Sequence, residues 1–198
     1  MLRALISSLI DALVPPRGSE RLVRTLTLAQ VQNLRTGDGL PYHDPRVRSL
    51  VWELKYYANP RAAALCAAVL EEDVLAAAGE CIGIPLLVPV PMHQERRRER
   101  GHNQTEVLCE ALVRRIQGIE YAPHALVRSV HTPTQQGLPK QVRIKNVSHS
   151  MHALASVAGR ACIVVDDVST TGATLAECKR ALKGAGARAV HTVVLAHS

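Results

Sequence analysis

The sequence has 198 residues, a formal net charge of +7 and a hydrophobic fraction of 47%, which suits one α/β domain with a small appendage. Its core must be aliphatic, because the chain has no Phe, one Trp and four Tyr. This shortage of aromatic rings argues against binding of single-stranded nucleic acid by base stacking. The positive charge is compatible with nucleic acid or with a highly phosphorylated small molecule as ligand.

Five cysteines and nine histidines are scattered along the chain. Neither a C-x-x-C pair nor an H-E-x-x-H motif occurs, so no zinc site is expected. The odd number of cysteines within apolar patterns indicates reduced thiols in a cytoplasmic protein. No run approaches the roughly 18 apolar residues that a membrane span requires.

The first residues, Met1 to Val14, combine one Arg with an apolar body, as a signal peptide does. Asp11 interrupts the apolar run, however, and Pro15-Pro16 follows it instead of a small-residue cleavage site. An amphipathic helix that packs on the domain is therefore the favoured interpretation. Residues 1–43 are predicted to form a helical or hood segment, and residues 44–198 the main domain.

The next part of the chain predicts two helices and a strand. Asp44 and Asn59 are each followed by Pro, which is the pattern of a helix N-cap and its first helical residue. The second helix is predicted over Arg61 to Ala78. A strand is predicted over Leu86 to Pro91, whose prolines indicate a sheet edge or an irregular strand end.

The second half of the chain continues this alternation of helices and strands. Asn103, with Glu106 three residues on, predicts a capping-box-like helix start. Residues 129–150 are polar and too long for an ordinary connection, which is typical of a lid, a binding loop or a disordered segment. The remaining predicted elements are a helix from Asn103 to about Ile116, a short strand from Ala125 to Arg128, a helix from Ala173 to Lys183 and a strand from Arg188 to Ala196.

The most informative stretch runs from Cys162 to Thr174. An apolar run typical of a strand buried on both faces ends in the adjacent carboxylates Asp166 and Asp167. Small residues rich in hydroxyl groups and glycine follow, and then a helical pattern begins. This layout predicts a ligand site at the carboxyl end of a strand.

The chemistry of this layout points to a phosphorylated sugar. Small residues let the backbone approach a phosphate closely, and the following helix turns its free N–H groups and the positive end of its dipole toward the anion. The hydroxyls of Ser169, Thr170, Thr171 and Thr174 add donors. Carboxylates accept hydrogen bonds from vicinal sugar hydroxyls and can hold a divalent cation directly or through water.

Three neighbouring motifs do not fit this stretch. A dinucleotide-binding unit requires G-x-G-x-x-G directly after the strand, and a P-loop requires Lys followed by Ser or Thr, where this chain has Gly172-Ala173-Thr174. A receiver domain also opens with an acidic pair after a strand, but it needs far more chain after the pair than follows here. A structural strand followed by a turn with incidental acidic residues is the remaining alternative.

The stretch closely resembles the phosphoribosyl pyrophosphate (PRPP) motif of type I phosphoribosyltransferases. The resemblance implies that Asp166 and Asp167 contact the ribose hydroxyls, act as the catalytic acidic pair and hold Mg²⁺, directly or through water. It also implies that the loop binds the 5′-phosphate. The PRPP-binding residues implied in this way are Asp166, Asp167, Val168, Ser169, Thr170, Thr171, Gly172, Ala173 and Thr174.

A second signal follows the Pro-rich end of the predicted strand near residue 91. Arginine makes bidentate bonds to phosphate oxygens, and glycine permits close backbone approach. The run Arg96 to Arg98 by itself is better explained as a solvated helix face, since Glu95 and Glu99 offset part of its charge. Arg100-Gly101-His102-Asn103-Gln104 is instead a candidate polyanion site.

Separate motifs occur in the order found in the ComF/GntX family, over roughly residues 44 to 197. They are Lys55-Tyr56, Val88-Pro89-Val90-Pro91, Arg100-Gly101-His102-Asn103-Gln104, Thr132-Pro133-Thr134-Gln135 with Gly137-Leu138, Arg143 with Asn146-Val147, and the acidic pair. The chain therefore resembles that family, although His102 stands where the family usually has Phe. Many members begin with a cysteine-rich zinc module, which this sequence is predicted to lack because no cysteine precedes Cys66.

The resemblance implies a type I phosphoribosyltransferase-like α/β fold, with a central, mostly parallel sheet flanked by helices and a small N-terminal helical or hood region. It implies Mg²⁺-dependent transfer of a phosphoribosyl group from PRPP to an acceptor base that the sequence does not identify, with release of pyrophosphate. It also implies a link to DNA uptake in competence, or to salvage from DNA. Pyrophosphate would contact Arg100, Gly101, Asn103 and Gln104, and the flexible-loop residues would be Arg128, Thr132, Gln135 and Arg143.

A function without catalysis stays open at this point. The same fold could sense PRPP, or could bind single-stranded DNA or a competence helicase through its arginines Arg96, Arg97, Arg98 and Arg100. Binding to a phosphate backbone weakens steeply as salt rises, whereas a PRPP pocket requires Mg²⁺ and the acidic pair. The oligomeric state is equally open, and a homodimer is one option.

Overall fold

The computed structural model describes residues 18–37, 39–128 and 150–198. In the described part, the strands in chain order are β1 (Leu40–Pro41), β2 (Leu86–Pro89), β3 (Glu120–Tyr121), β4 (Leu126–Arg128), β5 (Met151–Ala153), β6 (Ala161–Ser169) and β7 (Ala189–His197). Five of them form one sheet in the order β1-β7-β6-β2-β3, and every neighbouring pair is parallel. The strands β4 and β5 form a separate antiparallel ribbon.

The helices in the same residues cover both faces of this sheet. They are α1 (Ser19–Thr25), α2 (Leu28–Gln32), α3 (Pro45–Tyr57), α4 (Pro60–Gly79), α5 (Gln94–Arg100), α6 (Gln104–Val113) and α7 (Ala173–Gly184). The predicted fold, a mostly parallel sheet flanked by helices, is confirmed. Two predicted caps are confirmed as well, since Asp44 and Asn59 accept hydrogen bonds from the first N–H groups of α3 and α4.

The alternation of side chains along β2 and β6 creates two hydrophobic cores. Leu87, Ile163 and Val165 point to one face and pack with residues of α3, α4 and α6. Val88 and Val164 point to the other face and pack with α7 and the β4–β5 ribbon. Because successive side chains of a strand lie on opposite faces, one residue step along β6 changes the layer in which a side chain lies.

The helices α1 and α2 join the first of these cores. Their buried side chains Val23 and Val31 pack against α3 and α4. Ser19 donates a hydrogen bond of 2.6 Å to the buried carboxylate of Glu53, and Arg61 donates to the carbonyl oxygens at the end of α1. The predicted division of the chain at residue 43 stays a prediction, although the described residues before it are largely helical as expected.

Several predicted boundaries need correction. β2 lies inside the sheet, so of the two predicted explanations for its prolines the sheet edge is wrong and the strand end agrees with Pro89 as its last residue. The strand β6 does not stop at the acidic pair, because Val168 and Ser169 continue its ladder with β7. Among the described residues, no helix has both the length and the apolar character needed to cross a membrane.

The start of α6 also differs from the prediction. Asn103 caps it by accepting a hydrogen bond of 3.2 Å from the N–H group of Thr105. Glu106 does not complete the predicted capping box but accepts a hydrogen bond from Arg97 of α5. The helix ends at Val113, three residues before the predicted end.

Candidate functional site

A cavity of about 300 Å³ opens at the carboxyl ends of β2 and β6. In an open sheet of parallel strands, this edge is where ligands bind, because the loops that leave the strands converge there. The residues lining the cavity are Lys55, Val90, Pro91, Met92, His93, Arg96, Arg100, Asn103, Gln104, Thr105, Arg128, Asp166, Val168 and Thr174. The cavity therefore joins the acidic stretch to the arginine stretch that the sequence singled out.

The acidic pair is divided between the two faces of β6. Asp166 lies on the face of Val164 and lines the cavity, whereas Asp167 lies on the face of Val165, toward α3 and α6. Both are buried, with 7% and 4% of their surface exposed. The backbone N–H group of Asp167 donates a hydrogen bond of 2.9 Å to Oδ1 of Asp166, which fixes the Asp166 side chain against the strand backbone.

Asp167 has two side-chain partners. The ammonium of Lys55, from the last turn of α3, lies 2.9 Å from Oδ2, and Nε2 of Gln104 lies 3.3 Å from Oδ1. Burial works to raise the pKa of Asp167, but Lys55 and Gln104 outweigh it and hold that pKa below its usual value. The same pairing raises the pKa of Lys55 although burial opposes it, so both partners stay charged.

Asp166 has the opposite electrostatic environment. Burial raises its pKa well above the usual value, and the negative charge of Asp167 adds to this effect. Asp167 is therefore held in its ionised form, whereas ionisation of Asp166 is disfavoured as long as no cation or hydrogen-bond donor contacts it.

The hydroxyl-rich loop lies between β6 and α7, as predicted. Val168 and Ser169 belong to the strand, Thr170 and Thr171 are exposed, and α7 begins at Ala173. Gly172 has φ 71°, a left-handed conformation that favours glycine, and it turns the chain directly into the helix. Val168 and Thr174 line the cavity, so this loop and the first turn of α7 form one of its walls.

The arginine stretch forms the facing wall. Arg100 is the last residue of α5, and its guanidinium lies 5.0 Å from the centre of the Tyr56 ring. Asn103 is only 1% exposed, and its amide donates to the carbonyl oxygen of Val90 at 3.1 Å. Arg100, Asn103 and Gln104 line the cavity, whereas Gly101 ends α5 outside it.

The other arginines are distributed unequally. Arg96 and Arg128 line the cavity, from α5 and from β4 respectively. Burial lowers the pKa of Arg128, and the nearby charge of Arg96 lowers it further. Arg97 and Arg98 lie on the exposed face of α5, where Arg97 pairs with Glu106. The predicted loop residues Thr132, Gln135 and Arg143 lie outside the described residues.

Two residues of this site had no role in the sequence-based prediction. Lys55 and Tyr56 were recognised only as part of the family pattern. A signal was present for Lys55, because it follows the apolar Val51 by four positions and so shares the buried face of its helix. No comparable signal marks Tyr56 as the partner of Arg100, since that contact joins distant parts of the chain.

Comparison with known proteins agrees with this geometry. Residues 105–198 match the model of the phosphoribosyl transferase domain. The DNA utilization protein YhgH of Salmonella typhi is 33% identical over 151 residues, which are 75% of this chain and 66% of that protein. Competence protein F of Haemophilus influenzae is 32% identical over 115 residues, covering 57% of this chain and 50% of that protein. Competence protein ComFC of Bacillus subtilis is 35% identical over 97 residues, covering 49% and 38%.

The parallel sheet, the strand–loop–helix arrangement around the acidic pair and the family match define a phosphoribosyl transferase domain. The relatives carry the assignment one step further. The chain is similar to proteins named for DNA utilization and competence, in agreement with the resemblance to the ComF family found in the sequence. It spans slightly less than two thirds of the length of the YhgH protein of Salmonella typhi.

Proposed function

We propose that this protein binds PRPP together with Mg²⁺ in the cavity and transfers the phosphoribosyl group to an acceptor, with release of pyrophosphate. The observation that carries the proposal is that Asp166, Thr174 at the end of the hydroxyl-rich loop and the arginine stretch all line one cavity of about 300 Å³. Each part suits a different portion of PRPP, and the three parts lie on separate elements of the same sheet edge.

The 5′-phosphate would bind at the loop between β6 and α7. The first N–H groups of a helix have no partner within the helix, and its dipole favours an anion there. The hydroxyls of Thr170, Thr171 and Thr174 supply further donors, and Gly172 lets the backbone turn closely around the phosphate. Thr174 faces the cavity, so a phosphate held here would place the ribose over Asp166.

The carboxyl group of Asp166 would accept hydrogen bonds from the ribose hydroxyls. Mg²⁺ usually keeps several waters and binds through one or two carboxylates and the phosphates of a substrate, which fits a cavity with one carboxyl group on its wall. The described residues contain no group of three His, Cys, Asp or Glu side chains that could hold a metal alone. Asp166, with Asp167 behind it, would hold Mg²⁺, which when bound neutralises charge on the diphosphate.

The diphosphate would face Arg96, Arg100 and Arg128, which all line the cavity. In the transfer, an acceptor atom forms a bond to C1 of the ribose while the bond from C1 to the diphosphate oxygen breaks, and this oxygen keeps the electron pair. Positive groups placed where that charge develops lower the barrier, because they need no reorganisation during the reaction.

Calorimetry with Mg²⁺ and PRPP tests this proposal, with Asp166→Asn as the variant. Lys179→Met is a matched control, because Lys179 is an exposed residue of α7 away from the cavity. We expect Mg²⁺-dependent binding to the wild type and the control and at least about a hundredfold weaker binding to Asp166→Asn. Equal binding by Asp166→Asn and the wild type would refute the assignment, and a screen of bases for pyrophosphate release then tests catalysis.

A second candidate function is supported by α5, which has no buried residue and exposes Arg96, Arg97 and Arg98. This helix could bind single-stranded DNA or a helicase, with PRPP acting as a signal, and the relatives are named for DNA utilization and competence. Binding of a labelled oligonucleotide should then weaken steeply with salt. DNA binding that survives replacement of all four arginines from Arg96 to Arg100 would exclude this form of the proposal.

A further inference from the structure

The last turn of α3 contacts three residues at or next to the cavity through three consecutive residues of its own. The carbonyl oxygen of Leu54 lies 2.9 Å from Nε2 of His102, the ammonium of Lys55 lies 2.9 Å from Asp167, and the ring of Tyr56 lies under the guanidinium of Arg100. We propose that this turn positions two of the ligand-binding groups, Asp166 and Arg100: Lys55, which also lines the cavity, holds Asp167 behind Asp166, and Tyr56 holds Arg100. The inference rests on the proposed PRPP site.

The contacts of Asp167 support a positioning role for it. Asp167 does not line the cavity, it is 4% exposed, and both of its oxygens are engaged by Lys55 and Gln104. Its backbone N–H group in turn holds Oδ1 of Asp166. The contacts therefore run from the ammonium of Lys55 to the side chain of Asp167, and from the backbone N–H group of Asp167 to Asp166, which is the route by which Lys55 would act on the ligand site.

The contacts of Tyr56 extend the same argument to the arginine wall. Its ring packs at a 30° tilt against that of Trp52, with 4.1 Å between the centroids, and Trp52 is 9% exposed. Tyr56 is thus braced from behind while Arg100 lies over its open face. A guanidinium stacked in this way keeps its N–H edges free to point sideways, which is the arrangement needed for bidentate bonds to phosphate.

The opposite arrangement, in which Asp167 itself binds the ligand, can be tested directly. If Asp167 turned into the cavity to bind the ligand, Lys55 would compete with the ligand for it, and removing Lys55 would tighten binding. If Lys55 positions Asp167, removing it leaves a buried carboxylate without its counter-ion, and the geometry of the pair is lost.

We expect Lys55→Met to weaken binding of Mg²⁺ and PRPP by about 30-fold, and Lys55→Arg to recover most of that loss. In chains that already carry Asp167→Asn, Lys55→Met should change the affinity by less than about threefold, because the group through which Lys55 acts is gone. Undiminished or tighter binding by Lys55→Met would overturn the inference, as would an equal loss in both backgrounds. Tm values of all variants show whether each is folded.

Tyr56 provides the matched experiment on the other wall. Tyr56→Phe keeps an aromatic face under Arg100 and should bind PRPP within about twofold of the wild type, whereas Tyr56→Leu should lose about tenfold. Equal affinity of the Leu and Phe variants would overturn this half of the inference.

A spectrum without ligand separates failure of this inference from failure of the proposed function. If Lys55 positions Asp167, the Asp167 amide signal in ¹H–¹⁵N spectra of the whole chain should shift in Lys55→Met and stay near its wild-type position in Lys55→Arg and Lys179→Met, because this amide donates to Asp166 and its side chain pairs with Lys55. An unmoved signal in Lys55→Met would overturn the positioning role even if PRPP binds. A shift without any PRPP binding would support the positioning and refute the ligand.

Discussion

Asp166 and Asp167 are neighbours in one strand, yet the two faces of β6 treat them in opposite ways. Asp167 meets a cation and an amide donor from two helices, and its ionised form is favoured. Asp166 meets a cavity, burial and the charge of its neighbour, and its ionised form is disfavoured. The same type of side chain is thus held by an ion pair on one face of the strand and lines an open cavity on the other, and the groups packed against each face make the difference.

The largest effect on stability is expected from replacing Asp167, the carboxylate that pairs with Lys55. Asp167→Asn removes the charge that pairs with Lys55, whose side chain is 23% exposed, and should lower the free energy of unfolding by about 3 kcal/mol. Urea unfolding measures this change. Adding Lys55→Met should recover part of the loss, because the ammonium without its counter-ion is then removed as well. A stability equal to that of the wild type would contradict the ion pair.

Replacing Asp166, on the other face of β6, should change the free energy of unfolding in the opposite direction. Asp166→Asn replaces a carboxyl group whose charge is disfavoured by burial, so we expect the free energy of unfolding at neutral pH to rise on the order of 1 kcal/mol. The same variant is expected to lose PRPP binding, so stability and ligand affinity would change in opposite senses. A less stable Asp166→Asn protein would show that the carboxyl group of Asp166 stabilises the fold, as that of Asp167 does.

The pH dependence of stability sharpens this contrast. Because the pKa of Asp167 is lowered on folding, its contribution is present above the ordinary carboxyl pKa and is lost as the pH falls through the lowered value. Because the pKa of Asp166 is raised, the folded chain holds an extra proton between the ordinary and the raised value, and stability falls as the pH rises through that window. Urea unfolding at several pH values should show this fall in the wild type and not in Asp166→Asn.

The smallest effect is expected from Gln104, the second partner of Asp167. Gln104→Met loses the hydrogen bond to Asp167, but it also removes a buried carbonyl oxygen that has no partner among the described residues. The two changes partly cancel, so we expect a loss of about 0.5 kcal/mol in the same unfolding assay. A loss as large as that of Asp167→Asn would show that Gln104, and not Lys55, is the main stabilising partner of Asp167.

Local signals in the sequence predicted the parts of this site that are built from adjacent residues. The strand, the acidic pair and the loop up to Thr174 are contiguous, so their order alone defines a strand–loop–helix unit. The caps at Asp44 and Asn59 were predictable for the same reason, because each cap acts on the helix that directly follows it. The extension of β6 to Ser169 was missed because it depends on pairing with β7, which no local pattern contains.

Contacts between distant residues could not be predicted in this way. Gln104 and Asp167 are 63 positions apart, and their hydrogen bond exists only because α6 packs against β6. The separation of Asp166 from Asp167 follows from strand alternation, which was available from the sequence, but the sequence does not show which face carries the cation. The short strands β3 and β5 were likewise missed, because they are defined by their partners and not by an apolar pattern of their own.

The antiparallel ribbon has a consequence for engineering and for the evolution of this family. Arg128 and Met151 are paired residues of β4 and β5, so the chain that leaves the ribbon returns to the same place. The entropy of closing a flexible loop grows only with the logarithm of its length, so each doubling of such a loop between two chain ends that lie side by side costs about 0.6 kcal/mol. The ribbon is therefore a natural insertion point at the mouth of the cavity, where a reporter or a new specificity loop can be added while the sheet and its two cores stay unchanged.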